Sequence, residues 1–306
     1  HAYTKVKEWM PPNSTALYFA FPWATLIDKT NNKADDAGVL EKEALNAAKN
    51  IFPSGRPVIT VCQHILMEDF LDVFRECGIT DIFWTHATKT NGTEDIRNGI
   101  RIHPFPLFPV QVGDNAHSTH PRDILFSFIG AKSNQWYLTD TRRHIIELLE
   151  DDPRGVVIGR EDWHYNKIVY SHQVKATHAD PAGLVDMDRS KIFKETLNRS
   201  IFSLCPSGSG PNSIRLWESI ASGSIRVIMA DTYLPPGDDA LWHEAAIFIE
   251  ETQQNIAELP ELLEKLAKDA DLIFTKRKAM QQLLRLYGPD VFIYDIQNLI
   301  LEIDQG

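Results

Sequence analysis

The sequence predicts an α/β protein whose strands form parallel sheets. Short apolar runs, typical of strands buried on both faces, alternate along the chain with segments of helical periodicity. Residues 200–231 contain the clearest unit, in which an apolar run, a glycine-rich turn, a helix and a second apolar run follow one another. A length of 306 residues suits two domains, and a hydrophobic content of 43% suits a globular chain.

The N-terminal half alternates predicted strands with predicted helices. We expect strands at 17–21, 58–62, 82–84 and 100–102, and helices at 39–50 and 67–77. Such alternation implies right-handed crossovers between parallel strands, with ligands bound beyond the carboxyl ends of the strands.

Chemically useful side chains follow two of these strands. His64, Glu68 and Asp69 come after the second strand, and His86 comes after the third. The residue that deprotonates a hydroxyl is usually His, Asp or Glu, so all four are candidate catalytic bases. Asp69 and Glu68 rank first because carboxylates are ionised at neutral pH without help, and His64 and then His86 follow. The alternative is that the two acids complement their helix dipole and that His64 satisfies a turn.

The second half repeats the α/β pattern after a polar stretch at 110–123 that lacks periodicity, which we interpret as a linker. We expect strands at 124–129, 155–159, 201–205, 225–229 and 246–250, two helices within 253–287 and a last helix at about 291–303.

The turn after residues 201–205 has the composition of an anion-binding loop. Pro206, Gly208 and Gly210 break the strand, and either Asn212 or Ser213 suits the N-cap of the following helix. Backbone N–H groups and the positive end of the helix dipole then point into the turn, where glycines let a phosphate approach closely.

Two charged residues lie inside this helix. Arg215 can add a charge-assisted hydrogen bond to a phosphate, whereas Glu218, one turn further, suits the two hydroxyls of a ribose. The alternative is an ordinary strand–helix–strand unit whose turn happens to contain glycines.

The motifs of this half resemble the signature of the exostosin-like glycosyltransferases, family 47. The resemblance rests on Cys205-Pro206-Ser207-Gly208, Ser213, Arg215, Glu218 and Val227-Ile228, and upstream on Ile124–Gly130 and Asp140-Thr141-Arg142. It extends over about residues 122–250. A later turn reads Pro235-Pro236-Gly237 where the family usually has Pro-Phe, which puts the local contacts to the nucleotide base in doubt.

The resemblance implies a GT-B fold, in which two Rossmann-like domains with parallel sheets face a central cleft. Its domains would be an acceptor-binding domain at 1–120, a donor-binding domain at 121–288 and a C-terminal helix at 289–306 that packs back on the first domain. It also implies inverting transfer of a sugar from a nucleotide sugar, expected to be a UDP-sugar, to a hydroxyl of a glycan acceptor. The donor-binding residues would be Gly130, Arg142, Pro206, Ser207, Gly208, Gly210, Ser213, Arg215 and Glu218.

We expect neither a metal nor a further cofactor. Asp186-Met187-Asp188 is a D-x-D sequence, which in other glycosyltransferases holds a divalent ion. No strong strand precedes it, and the two acids also suit the start of the helix predicted at 190–200. A helix N-terminus with arginines can supply the same electrostatic stabilisation.

Composition limits the classes of binding partner and the cellular compartment that the sequence suggests. A net charge of −11 argues against nucleic acid as a partner, and no apolar run approaches the roughly 18 residues of a membrane span. Cys62, Cys77 and Cys205 lack metal spacing and suggest a reducing, cytoplasmic compartment. The sequence begins with His1, so removal of a preceding signal or anchor stays open.

Two alternative functions remain at this point. A nucleotide-sugar epimerase of GT-B fold would need acid and base groups on both sides of the sugar and no acceptor groove. A non-catalytic partner of an active transferase would keep the glycine turn for folding and lose the acids at the strand ends.

Overall fold

The chain forms two compact units. The computed structural model describes residues 1–51, 55–90, 95–108, 121–132, 134–161 and 187–306. Unit 1 consists of His1–Pro106, Leu234–Gly237 and Asp290–Gly306. Unit 2 consists of Leu107–Tyr233 and Asp238–Pro289.

The elements of the described residues are numbered in chain order. The helices are α1 (Ala2–Trp9), α2 (Trp23–Asn31), α3 (Ala37–Ile51), α4 (Leu71–Glu76), α5 (Thr141–Leu149), α6 (Met187–Arg199), α7 (Ile214–Ser222), α8 (Asp239–Ala245), α9 (Gln253–Ala257), α10 (Leu259–Ala267), α11 (Ala270–Tyr287) and α12 (Tyr294–Gln305). The strands are β1 (Leu17–Tyr18), β2 (Val58–Cys62), β3 (Asp81–Trp84), β4 (Ile96–Arg97), β5 (Ile100–Pro104), β6 (Ile124–Ala131), β7 (Gly155–Arg160), β8 (Ser200–Pro206), β9 (Ile225–Met229) and β10 (Ala246–Phe248). A 3₁₀ helix at Met67–Phe70 precedes α4.

In the described residues, unit 1 contains a mainly parallel sheet with the strand order β1-β2-β3-β5-β4. The strand predicted at 58–62 is β2, which pairs in parallel with β3. Trp23 on α2 and Phe74 on α4 pack tightly, with ring centroids 4.3 Å apart, and both side chains are buried. The C-terminal helix α12 belongs to this unit, where Asp304 Oδ1 accepts a hydrogen bond from the backbone N–H of Thr15 at 2.7 Å.

An antiparallel hairpin at the edge of this sheet departs from the parallel pairing that the sequence pattern predicts. β4 runs antiparallel to β5, and Asn98-Gly99 form the turn between them. Both residues have positive φ, 51° and 79°, as a tight hairpin turn of this type requires. The Asn-Gly dipeptide is itself a hairpin signal, so the sequence contained the information that was missed.

Unit 2 contains a sheet with the order β10-β9-β8-β6-β7 in its described part, and all of these strands are parallel. Their carboxyl ends therefore meet at one edge, which we call the carboxyl edge of unit 2. Phe126, Phe202 and Trp217 lie in its core and are buried. Gly223 ends α7 with a φ of 74°, in the left-handed conformation that glycine adopts readily.

The segment 253–287 forms three helices, α9, α10 and α11, and not the two that were predicted. Pro260 stands in the first turn of α10, and Asp269 caps α11 by accepting a hydrogen bond from the N–H of Leu272. Helix start signals at Thr252, Pro260 and Asp269 therefore divide the segment into three helices.

Cys62, Cys77 and Cys205 are free and buried, as their apolar surroundings suggested. Within the described residues, no helix combines the length and the hydropathy that crossing a bilayer requires.

Gly155 is a packing constraint in unit 2. It pairs with Phe126 across β6 and β7, and a Cβ at this position would collide with the ring of that buried phenylalanine. Gly155→Ala should therefore lower the free energy of unfolding by about 1–3 kcal/mol, the usual cost of overpacking. Urea denaturation measures this change.

Gly38→Ala is the matched control, because a Cβ at Gly38 on α3 would have no atom within 4 Å. We expect it to raise stability by about 0.4–1 kcal/mol. Equal stability of the two variants would show that the ring of Phe126 moves aside freely.

Candidate functional site

The turn that follows β8 lies at the carboxyl edge of unit 2 and is held by backbone hydrogen bonds. Ser207 N–H donates to the carbonyl of Met229 at 2.8 Å, and Gly208 N–H donates to that of Gly210 at 2.9 Å. Leu138, in the loop before α5, donates its N–H to the carbonyl of Gly208, also at 2.9 Å. The turn is therefore fixed by β9 on one side and by the loop before α5 on the other.

The turn leads directly into the N-terminus of α7. Ser213 is the N-cap residue, as predicted, although its side chain makes no capping hydrogen bond. The neighbouring Asn212 accepts a hydrogen bond from the indole N–H of Trp217 at 2.9 Å, which ties the helix start to its buried face. Pro206, the last residue of β8, is buried. This end of α7 offers N–H groups and a positive dipole end to an anion.

Arg142 reaches this turn from the start of α5. Its Nε donates to the carbonyl of Ser207 at 2.8 Å, and its guanidinium lies 4.8 Å from the ring centre of Tyr137. A Cβ at Gly208 would lie 3.1 Å from Nη2 of Arg142, so the glycine leaves room for the arginine. Burial and the charge of Arg215 lower the pKa of Arg142 to about 10, which leaves it charged at neutral pH.

Arg215 is buried, with 7% of its surface exposed. Its Nη2 donates to the carbonyl of Ile129, while Nε and Nη1 have no hydrogen-bond partner in the described part of the chain. A Cβ at Gly130 would lie 2.6 Å from Nη2, so a larger residue at this position would displace the guanidinium. Burial lowers the pKa of Arg215, but an arginine keeps its charge in proteins.

The two arginines share one aromatic ring. The guanidinium groups of Arg142 and Arg215 lie 5.9 Å and 4.6 Å from the ring centre of Phe128. Two neighbouring cations repel each other, and a polyanion bound beside them would relieve this repulsion and satisfy open N–H groups. Two guanidinium groups thus lie close together beside the turn in a chain of net charge −11.

Glu218 lies on α7, one turn inside the helix as predicted, and is 2% exposed. Its charge favours the charged form of Arg215, although burial outweighs this effect and lowers the pKa of Arg215. Because Glu218 is almost fully enclosed, a direct hydrogen bond to a ribose requires its neighbours to move.

The structure brings the predicted donor-binding residues together at one edge. Those that meet there are Gly130, Arg142, Pro206, Ser207, Gly208, Gly210, Ser213, Arg215 and Glu218. Sequence reasoning missed Tyr137 and Glu251, which contact Arg142 and Ser207. The only signal for Glu251 was its place after an apolar strand.

The structure describes the D-x-D sequence only in part. Asp186 lies outside the described residues, and Asp188 is exposed in the first turn of α6. The described parts of the chain contain no group of three or more His, Cys, Asp or Glu side chains placed to hold a metal ion. Lys132 pairs with Glu161 at 2.5 Å and is half exposed, as expected of a solvated lysine.

The candidate bases lie at the carboxyl ends of β2 and β3 in unit 1. Glu68 and Asp69 are exposed on the 3₁₀ helix after β2. Glu68 forms an ion pair with Arg97, which also pairs with Asp95 at 2.7 Å. Asp69 makes no hydrogen bond or ion pair with the described residues.

His64 has a partner that the sequence did not indicate. Its Nε2 lies 3.1 Å from Oδ1 of Asp28 on α2, and its Nδ1 accepts a hydrogen bond from the N–H of Leu66 at 3.0 Å. Nε2 therefore carries the hydrogen and donates a hydrogen bond to Oδ1 of Asp28. Both ring nitrogens of His64 are occupied in this arrangement.

His86 is 7% exposed, and its Nδ1 has no partner among the described residues. Burial, with a smaller contribution from His64, lowers the pKa of His86 to about 3. His86 is therefore neutral at physiological pH and a weak proton acceptor.

These features define an α/β protein of two units with mainly parallel sheets, one of which carries a strand–glycine turn–helix flanked by arginines. The family model described as the Exostosin GT47 domain matches residues 64–266. The chain belongs to this family, as the motifs around Gly208 and Arg215 predicted, and the α/β class with two parallel-sheet units is confirmed.

Curated relatives match shorter segments. The probable glucuronosyltransferase GUT1 of Oryza sativa subsp. japonica is 40% identical over 68 residues, 22% of this chain and 16% of the relative. The probable beta-1,4-xylosyltransferase IRX10 of Arabidopsis thaliana is 38% identical over 80 residues, 26% of this chain and 19% of the relative. The chain thus matches less than a quarter of the length of each of these two relatives.

Solved structures resemble the chain distantly. The pneumococcal O-GlcNAc transferase GtfA in complex with UDP and GlcNAc has a TM-score of 0.39 at 14% identity, covering 86% of this chain and 47% of that one. The N-terminal domain of Candida albicans trehalose-6-phosphate phosphatase has a TM-score of 0.49 at 10% identity, covering 92% and 79%.

Proposed function

We propose that this chain is an inverting glycosyltransferase that moves a sugar from a nucleotide sugar to a hydroxyl of a glycan acceptor. The observation that carries the proposal is the pair of guanidinium groups on the ring of Phe128, Arg142 and Arg215. Unpartnered N–H groups on the buried Arg215 favour a bound polyanion, and the diphosphate of a nucleotide sugar has the right charge. The names of the matched relatives, xylosyl- and glucuronosyltransferases, support a sugar as the transferred group.

In the proposed reaction the acceptor oxygen attacks the anomeric carbon of the donor sugar. The bond from that carbon to the diphosphate oxygen breaks, and its electron pair leaves with the diphosphate. The negative charge that grows on the leaving group is stabilised by Arg142, Arg215 and the N-terminus of α7. Because this charge appears only as the bond breaks, its stabilisation lowers the barrier rather than tightening substrate binding alone.

The proton of the acceptor hydroxyl passes to a base of unit 1, for which we propose Asp69. Its carboxylate is exposed and unpaired within the described residues, while Glu68 is bound to Arg97. His64 has both ring nitrogens occupied, and the low pKa of His86 makes it a weak acceptor.

UDP-sugars are the proposed donors. We also propose that transfer needs no divalent metal, because arginines and a helix N-terminus face the diphosphate. A panel of UDP-, GDP- and dTDP-sugars, assayed for hydrolysis and thermal shift, should show one UDP-sugar turned over equally with and without EDTA. Activity that disappears with EDTA and returns with manganese or magnesium would contradict metal independence. A panel with no binding and no turnover would contradict the enzyme itself.

Glu218 is proposed to hold the ribose once the donor has bound. Glu218→Gln should weaken UDP binding by about 1.5–3 kcal/mol, the range for a hydrogen bond to a charged group. Binding of pyrophosphate, which has no ribose, should stay unchanged in the same calorimetric titration.

Glu195→Gln is the matched control, since Glu195 is exposed on α6. If Glu218→Gln changed the affinity for UDP and for pyrophosphate equally, Glu218 would act through the charge of Arg215 and not on the ribose.

Asp69→Asn should lower kcat by about 10²–10⁴ and leave the affinity for the donor nearly intact, because it removes only the proton acceptor. Steady-state kinetics together with UDP titration separates these two quantities. Asp72→Asn is the control, since Asp72 is exposed on α4 and pairs with Arg75 at 3.0 Å. A kcat within tenfold of the wild-type value would place the base at another residue.

A further inference from the structure

The carboxylate of Glu251 accepts several hydrogen bonds at the carboxyl edge of unit 2. Glu251 follows β10, and its Oε1 accepts from the hydroxyls of Thr139 at 2.9 Å, Thr141 at 3.2 Å and Ser207 at 2.5 Å. Its Oε2 accepts from the backbone N–H of Asp231 at 3.2 Å. The carboxylate group therefore has four hydrogen bonds, which is about all that its lone pairs accept.

The contact with Asp231 is reciprocal. The backbone N–H of Glu251 donates to the two carboxylate oxygens of Asp231 at 3.2 Å and 3.3 Å. Asp231 follows β9 and Ser207 follows β8. Thr139 lies in the segment after β6, and Thr141 is the first residue of α5. Glu251 thus links by hydrogen bonds the segments that follow the four parallel strands β6, β8, β9 and β10.

Ser207 depends on this carboxylate for its orientation. Its N–H is bound to Met229, its carbonyl accepts from Arg142, and its hydroxyl donates to Glu251. Ser207 is 3% exposed, so water cannot readily replace a lost partner. A rotation of Ser207 would turn the N–H groups that follow it, including that of Gly208, away from their present directions.

A carboxylate beside a diphosphate site needs an explanation, because it repels the ligand. The geometry points to one: its hydrogen bonds with three hydroxyls and one N–H group hold the turn in place, and this orientation is what the carboxylate contributes. We propose that Glu251 is a positioning residue, which sets the Ser207–Gly208 turn for the donor diphosphate without touching the donor. This inference rests on the proposed function.

A double-mutant cycle on UDP affinity tests the proposal. Glu251→Ala should weaken UDP binding by about tenfold or more, as expected when a turn loses its hydrogen-bonded support. Glu251 acts through Ser207 in this proposal. The double variant Glu251→Ala/Ser207→Ala should therefore have the same affinity for UDP as Glu251→Ala alone, to within about twofold. Glu251→Gln, which keeps the length and one acceptor oxygen, should recover most of the lost affinity.

Glu250→Ala is the matched control, since Glu250 is an exposed neighbour with the same charge, and it should bind UDP like the wild type. Wild-type affinity in Glu251→Ala, or full additivity with Ser207→Ala, would overturn the proposal. If Glu251→Ala fails to fold, the same cycle is run with Glu251→Gln, whose smaller effect must again fail to add to that of Ser207→Ala.

Hydrogen exchange measured by mass spectrometry gives a readout that needs no ligand. Amides at 206–213 should exchange faster in Glu251→Ala and stay unchanged in Glu250→Ala. If no variant, the wild type included, binds UDP, the proposed function is wrong, but faster exchange still supports positioning by Glu251. Unchanged exchange overturns that positioning whatever the ligand proves to be.

Discussion

A buried, incompletely paired guanidinium is the constraint around which the functional edge of unit 2 is built. Removing a charge from water costs several kcal/mol unless other interactions replace the lost hydration. Arg215 recovers part of this through the face of Phe128 and the carbonyl of Ile129, and the charge of Glu218 helps. Two of its nitrogens still lack partners within the described residues, so part of the cost remains in the protein without ligand. Gly130 completes the arrangement, because any side chain there would collide with the guanidinium.

Ser207 stands between opposite charges. Arg142 binds its carbonyl and Glu251 accepts its hydroxyl proton, so a cation and an anion hold one residue from two sides. The two charges do not form an ion pair with each other in the described structure, and each keeps its own set of partners. A turn held in this way is preorganised, which is what stabilisation of a developing charge requires.

Unit 1 shows how strand-end residues acquire different chemistry from their neighbours. His64 and His86 both follow buried strands, yet one is bound at both nitrogens and the other is buried with an open Nδ1. Glu68 and Asp69 are adjacent in sequence, but only Glu68 is paired with Arg97. The position of a candidate base is therefore a local property, whereas its capacity to accept a proton depends on contacts from distant segments.

The sequence by itself determined the α/β class and the buried strands such as Val58–Cys62, because these follow from local hydrophobic periodicity. It also determined the glycine turn before α7 and the end of that helix at Gly223, because these follow from the backbone preference of glycine. It also contained the Asn98-Gly99 hairpin signal, which was overlooked. Only the tertiary structure decided that Asp28 binds His64, that Glu251 binds Ser207 and that Arg142 and Arg215 share the ring of Phe128. These contacts join residues far apart in the sequence, for example 36 positions for Asp28 and His64 and 44 positions for Ser207 and Glu251. No local pattern encodes such pairs, because the order in which parallel strands assemble decides which strand ends become neighbours.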